Sequence, residues 1–181
     1  LADVLNELAE RDMGKLIVIG TRGEGNYGLV GRNTSAVVMG AKVPVIAVPS
    51  EWRPAPLKRI LLAYDGGPMD QGTLAPLIVI AARAGAELVV AHVRSNIATF
   101  DERGDRKKLS AMLTGVRHSY VTVAGDDVAR TVDDLARQGR IQLVAVVHRK
   151  KSFWERLFTS SKAKRMALHT TTPLLVLQEM E

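Results

Sequence analysis

The sequence predicts an α/β fold: a doubly wound, five-stranded parallel sheet, present as a tandem repeat. Three observations predict it. Short apolar runs alternate with helix-patterned segments along most of the 181 residues, the order that builds right-handed crossovers between parallel strands. The apolar runs are near-continuous rather than alternating, as in strands buried on both faces of a parallel sheet. Finally, the chain repeats itself. LNELAERDMGKLIVI (Leu5 to Ile19) lies over VDDLARQGRIQLVAV (Val132 to Val146), matching Leu8 with Leu135, Ala9 with Ala136 and Leu16 with Leu143. VPVIAV (Val43 to Val48) lies over TPLLVL (Thr172 to Leu177). The offset changes from 127 (132 − 5) to 129 (172 − 43), and only within a glycine-rich stretch where insertion is easily tolerated. Residues 1–50 therefore read as the C-terminal half of a first domain, 51–56 as a linker and 57–181 as a complete second domain. The proline-bearing SEWRPAP (Ser50 to Pro56) marks the boundary.

Taken in order, residues 2–13 place Ala2, Leu5, Leu8 and Ala9 at helical spacing with Asp3, Glu7, Glu10 and Arg11 opposite, and Gly14 is the expected stop. The chain opens without Met on what reads as mid-helix, so an upstream part of the first domain is expected. Lys15 to Thr21 is a strand expected to be buried on both faces. Gly20, Gly23, Gly25, Gly28 and Gly31 follow in a loop, then a helix from about Asn33 to Ala41 and the strand Val43 to Val48. After the linker, Arg59 to Tyr64 is a strand ending at Asp65-Gly66-Gly67. Asp70 to Ala84 is a helix stopped by Gly85, Leu88 to Val93 a strand and Asp101 to Thr114 a polar helix. Ser119 to Val123 is a strand, Gly125-Asp126-Asp127 caps a helix to Gln138, and Leu143 to Val147 is a strand. Ser161 to His169 is a helix and Pro173 to Leu177 the last strand.

Composition narrows the function. Apolar residues make up 46%, and no run approaches the ~18 residues of a membrane span. The absence of cysteine excludes disulfides and suits a reducing, cytoplasmic setting. The net charge of +6 gathers at Arg103 to Lys108, His148 to Lys151 and Lys162 to Arg165 instead of one stripe. With only 4% aromatics to stack on bases, nucleic-acid binding is not expected.

The glycine-rich loop between strand and helix is the strongest chemical signal. Glycines let the backbone approach a phosphate closely, and the next helix aims free N–H groups and its positive end at the charge. Arg22 and Arg32 would add neutralising charge. Gly23 to Gly28 also spells G-x-G-x-x-G, but the unit ends a domain instead of opening one, which argues against dinucleotide binding; G-x-x-x-x-G-K-[ST] is absent. Asp65 reads either as a ligand contact at a strand end or as a turn or cap aspartate before Gly66-Gly67. His148, Arg149, Lys150 and Lys151 read as a solvated loop or, alternatively, an anion contact, and Phe153, Trp154 and Phe158 as an apolar face covering a core edge or a subunit interface. His92 and His118 fall in strands without metal-ligand spacing. No catalytic constellation stands out, so a binding module is expected, with any hydrolysis slow and incidental.

With Gly20-Thr21-Arg22-Gly23, Gly31-Arg32-Asn33-Thr34 and LLAYDGG in this order of elements, the chain resembles the universal stress protein family. That family has a Rossmann-like five-stranded domain; its nucleotide-binding members carry G-x2-G-x9-G-(S/T) after the fourth strand and an aspartate after the first. The resemblance implies a stress-response module binding ATP, with Mg, through Gly20, Arg22, Gly23, Gly31, Arg32, Asn33 and Thr34. The first copy departs from the pattern, with seven residues between Gly23 and Gly31 and Arg32 in the hydroxyl position; Asn33, Thr34 or Ser35 could supply the polar contact. In the second copy Val147, Lys150 and Ser160 stand where glycines belong, so the resemblance implies only a vestigial site there, at Asp65, Val93, Ser160 and Ser161. It also implies pairing through final strands, Val43 to Val48 and Leu174 to Leu177, within one chain or in a homodimer. The alternative is a non-nucleotide stress protein acting through such contacts.

Overall fold

The computed structural model describes residues 1–21, 32–94, 102–125, 127–149 and 171–179. Their hydrogen-bonded strand order is β1-β2-β7-β6-β3-β4-β5, a mixed seven-stranded sheet accompanied by five helices. The chain divides into two compact units, one of Leu1–Pro54 with Val146–Glu179, the other of Ala55–Ala145.

In the first unit, α1 (Ala2–Arg11) leads to β1 (Ile17–Gly20), α2 (Arg32–Gly40) and β2 (Val45–Val48). β1 and β2 are parallel, Ile17 opposite Val45 and Gly20 opposite Val48. The buried Asn6 side chain ties α1 to the end of α2: its Nδ2 donates to Gly40 O at 2.8 Å and its Oδ1 accepts from Lys42 N at 2.9 Å. A side chain at Gly40 would put its Cβ 2.9 Å from Ala2 Cβ, so the helices approach where only glycine fits. Val37, Val38, Val45, Ala47 and Leu174 to Leu177 are buried.

The last strand, β7 (Leu174–Gln178), pairs antiparallel with β2: Val45 opposite Val176, Ile46 opposite Leu175, Ala47 opposite Leu174. This corrects the expectation of an all-parallel sheet. In the sequence repeat Ile46 matches Leu175, so matched residues meet at the centre and the flanking pairs exchange places. A local two-fold relation of this kind necessarily runs the two strands in opposite directions, and it covers an edge that each would otherwise leave open.

The second unit runs β3 (Arg59–Tyr64), α3 (Gln71–Ala84), β4 (Glu87–Arg94), α4 (Glu102–Met112), β5 (His118–Ala124), α5 (Val128–Gln138) and the opening residues of β6 (Leu143–His148). β3 pairs parallel with β4 and with β6, and β4 with β5. Ile60, Leu61, Leu62, Leu74, Leu77, Leu88 and Leu113 are the large fully buried side chains of this unit. The start of α3 is set by Asp70, which is its N-cap rather than its first residue. Its carboxylate accepts from Thr73 N at 2.8 Å and Thr73 Oγ1 at 2.7 Å. Those bonds, the hydroxyl's first, hold the Asp70 pKa below the ordinary aspartate value. At the start of β4, Ser119 Oγ and Arg59 Nε both bond the Glu87 carboxylate and hold its pKa low, the serine contributing most.

The repeat reappears in backbone geometry. After α1, Asp12 N bonds Leu8 O, Met13 N bonds Glu10 O and Gly14 N bonds Ala9 O; after α5, Gly139 N bonds Leu135 O, Arg140 N bonds Arg137 O and Ile141 N bonds Ala136 O. Each partner in the second set lies 127 positions beyond its counterpart in the first (139 − 12, 140 − 13, 141 − 14). The left-handed residue of each turn is Met13 (φ 51°) and Arg140 (φ 49°), so the expected glycine stop at Gly14 sits one residue late.

Candidate functional site

In the first unit the site is the C-terminal end of β1 and the first turn of α2. Gly20 ends the strand, and Thr34, buried in the helix, donates from Oγ1 to Gly20 O at 3.0 Å. That bond joins the end of β1 to the first turn of α2. Arg32 and Asn33 open α2; Arg22, Gly23 and Gly31 lie outside the described residues. The first turn of a helix has N–H groups without intrahelical partners, and its dipole favours an anion. Ser35 is 6% exposed and its Oγ has no hydrogen-bond partner, a costly state for a buried hydroxyl.

A second polar group of this unit escaped the sequence reading. At the end of β6, His148 Nδ1 donates to Gln178 Oε1 at 3.0 Å, and Gln178 Nε2 donates to Val38 O at 3.2 Å. The relay joins β6, β7 and α2 and leaves His148 Nε2 buried without a partner. Arg149 is only 8% exposed, so the stretch read as a solvated loop begins with a buried cation. The sequence signal available was position: His148 and Gln178 each end an apolar strand.

In the second unit, Asp65 follows β3 and accepts from Gly67 N at 3.2 Å, the turn geometry offered as one of its readings. Tyr64 lies opposite His92, so Asp65 and Val93 come one residue later at the same end of neighbouring strands. Ser160 and Ser161, like Phe153, Trp154, Phe158 and the Ser161 to His169 helix, lie outside the described residues. Beside the loop is a cleft of about 330 Å³, lined by Tyr64, Gly66, Gly67 and Met69 and by Asp105 and Lys108 of α4.

A polar layer lies beneath α4. Arg106 sits 5.4 Å from the centroid of the Tyr120 ring and bonds Thr122 Oγ1. Ser110 Oγ is 2.9 Å from Tyr120 Oη and 3.2 Å from His118 Nε2, while His118 Nδ1 donates to Val116 O. The alternation of His118, Tyr120 and Thr122 on one face of β5, with Arg106 and Ser110 four apart on α4, was a readable signal that the sequence reading passed over. Among the described residues, no group of three His, Asp or Glu side chains could hold a metal, and no helix is long and apolar enough to cross a membrane.

The model of the universal stress protein family matches residues 56–178. Two curated relatives, the sensor protein KdpD of two Mycobacterium tuberculosis strains, are 31% identical over 105 residues, 56% of this chain. The match spans only 12% of their length. Among solved structures, a universal stress protein from Archaeoglobus fulgidus DSM 4304 superposes with TM-score 0.71 at 16% identity, covering 99% of this chain and 66% of that one. A functionally unknown protein from Pseudomonas aeruginosa PAO1 gives 0.65 at 16% identity, covering 98% and 68%. UspA from Lactobacillus plantarum gives 0.53 at 16% identity, covering 68% and 99%. At these identities the superpositions speak to the fold alone.

Proposed function

The chain belongs to the universal stress protein family, and from that premise we propose that it is a stress-response module binding an adenine nucleotide, ATP with Mg, through the glycine-rich loop of a first domain. The single observation that carries the reading is the Thr34 to Gly20 bond, which holds strand end and helix start together at the base of that loop. Residues 1–50 are read as half of one domain, 51–56 as a linker and 57–181 as a second domain. The turn hydrogen bonds repeated at an offset of 127 support that division.

The available groups fit the ligand. Ser35 Oγ is a buried donor lacking an acceptor, in the first turn of α2 where a phosphate oxygen would also meet backbone N–H groups. Arg22 and Arg32 would supply positive charge, with Gly20, Gly23 and Gly31 giving the backbone room and Asn33 a further polar contact. Mg would arrive held by the phosphates. The role is binding, not turnover. In the second domain, Val147, Lys150 and Ser160 put side chains where the backbone should meet phosphate, so Asp65, Val93, Ser160 and Ser161 are read as a vestige. A cytoplasmic setting accords with the absence of cysteine.

The experiment is to denature the purified protein and look for released adenine nucleotide by chromatography, then to titrate Mg-ATP against the melting temperature. Bound or stabilising nucleotide, lost in Gly23→Val with the fold retained, supports the reading; unchanged affinity in that variant overturns it. A second reading, a module working through protein contacts without nucleotide, is favoured by the antiparallel β2 to β7 pairing. Absence of both released nucleotide and Mg-ATP stabilisation would favour it.

A further inference from the structure

We propose that Ser110 is a nucleophile with His118 as its base, and that it accepts acyl groups from small activated esters. The inference lies wholly within the second unit and does not rest on the nucleotide reading.

His118 fixes the direction of the network. Its Nδ1 is 2.8 Å from Val116 O. A carbonyl oxygen can only accept, so Nδ1 carries the proton and Nε2 presents a lone pair. That lone pair faces Ser110 Oγ at 3.2 Å, so the serine hydroxyl donates to it. With the serine proton so directed, Tyr120 Oη is the donor in its 2.9 Å contact with Ser110 Oγ. A nucleophile, a base and a third group that orients the base are the parts that activate a serine. The His118 ring is also held edge-on against Tyr120, with centroids 5.7 Å apart and planes at 88°.

Other hydroxyls of this unit behave differently. Ser119 donates to the Glu87 carboxylate, Thr73 to the Asp70 carboxylate, Thr114 to Ala111 O and Thr131 to Asp127 O. Those bonds fasten a helix end or a strand start. Ser110 points instead at an imidazole nitrogen, the commonest general base.

Position and charge favour the same chemistry. α4 carries Ser110 one turn after Arg106, and β5 carries His118 and Tyr120 on one strand face. β5 is an end strand of the sheet order, and Ser110, His118 and Tyr120 are each half-buried. A small molecule can therefore reach the serine oxygen from the sheet edge. Ser110 lies near the negative end of α4, which opposes charge on the attacking oxygen. The Arg106 guanidinium, 5.4 Å from the Tyr120 ring centroid, offsets that field. The Tyr120 hydroxyl supplies a hydrogen bond to the oxygen as its proton leaves.

The step needs no co-reactant. Ser110 Oγ bonds to the ester carbonyl carbon as its proton passes to His118 Nε2. The bond from that carbon to the alcohol oxygen breaks, and the alcohol leaves with the bonding electron pair and, from His118, the proton. The products are acyl-Ser110 and the free alcohol.

The probe is p-nitrophenyl acetate added to the full chain, read by release of nitrophenol and by mass mapping of the acetyl group. The proposal expects acetyl on Ser110, formed at least tenfold faster than on any other hydroxyl. Ser110→Ala should remove it, and Thr114→Ala should leave it unchanged. His118→Gln, which can hydrogen-bond but cannot take a proton, should slow it at least tenfold at an unchanged melting temperature. Acetyl confined to amines, or equal labelling of Ser110 in His118→Gln, overturns the proposal. Should His118→Gln unfold the protein, a thiol gives the second measurement, because the chain has no cysteine of its own. Ser110→Cys should react with iodoacetamide at least tenfold faster than Thr114→Cys, although Thr114 is the more exposed position. Equal or slower reaction overturns the proposal as well.

Discussion

β1 and β6 carry matched apolar runs behind turns with the same hydrogen bonds, yet Val18 is 63% exposed while its counterpart Ala145 is 0%. β6 has β3 against it; β1 has no strand on its outer side among the described residues. The helices differ in the same sense, since Ala129, Val132 and Ala136 of α5 are buried and their counterparts Ala2, Leu5 and Ala9 of α1 are only half-buried. Apolar pattern states what a segment needs for burial, and neighbours decide whether it is met.

Seven substitutions, in four tests, measure how far that comparison holds. The largest effect is expected at the covered edge of the first unit. Val176→Asp would bury an unpaired charge opposite Val45, costing about 4 kcal/mol or more or preventing folding, whereas Val18→Asp on the open edge should stay within about 0.5 kcal/mol. Urea denaturation of both variants decides this, and a large loss at Val18 would break the comparison.

Next, Leu62→Ala, opposite Ala145 and fully buried, should cost about 2–5 kcal/mol. Leu16→Ala, at 39% exposure, should cost under about 1 kcal/mol, because little surface is returned to water. Their midpoints in the same denaturant measure the difference directly.

A smaller effect is expected at the capped start of α3, where Asp70 is the N-cap. Asp70→Ala should cost about 1 kcal/mol at neutral pH. Because the Asp70 pKa is lowered on folding by Thr73, this stabilisation is present above the ordinary aspartate value and is lost as pH falls through the folded value. Melting curves of wild type and variant should therefore converge in acid. The smallest effect sharpens the repeat itself: Met13→Gly and Arg140→Gly should each stabilise by roughly 0.5–1 kcal/mol, by similar amounts, since both relieve the same left-handed residue. Unequal gains would show that the two turns are not equivalent under load.

Much of the fold was legible because alternation and glycine punctuation are local properties. The strand after Lys15, the helix ending at Gly85 and the strand Arg59 to Tyr64 all fall where periodicity puts them. What was not legible depends on distant residues. Lys15 to Thr21 reads as a fully buried strand because its composition matches that of β6, but nothing in it reports whether a neighbour is present. The antiparallel direction of β7 comes from meeting β2, so TPLLVL alone could not reveal it. At the first site, the family resemblance named Gly20 and Thr34 among seven nucleotide-binding residues, and the structure shows those two hydrogen-bonded to each other. The unpartnered Ser35 hydroxyl and the His148 to Gln178 relay were missed because burial of a polar atom is not written in its residue type.

The β2 to β7 pairing has a consequence for how the protein is made. Ala47 lies opposite Leu174, 127 residues later in the chain (174 − 47). With synthesis at about 5–20 residues per second, on the order of ten seconds separate their emergence from the ribosome. Throughout that interval β2 keeps an apolar edge with no strand to cover it, while β3, β4 and β5, close in sequence, can already assemble. During that interval the growing polypeptide carries an open β2 edge that the finished molecule lacks, and β7 is the strand that covers it.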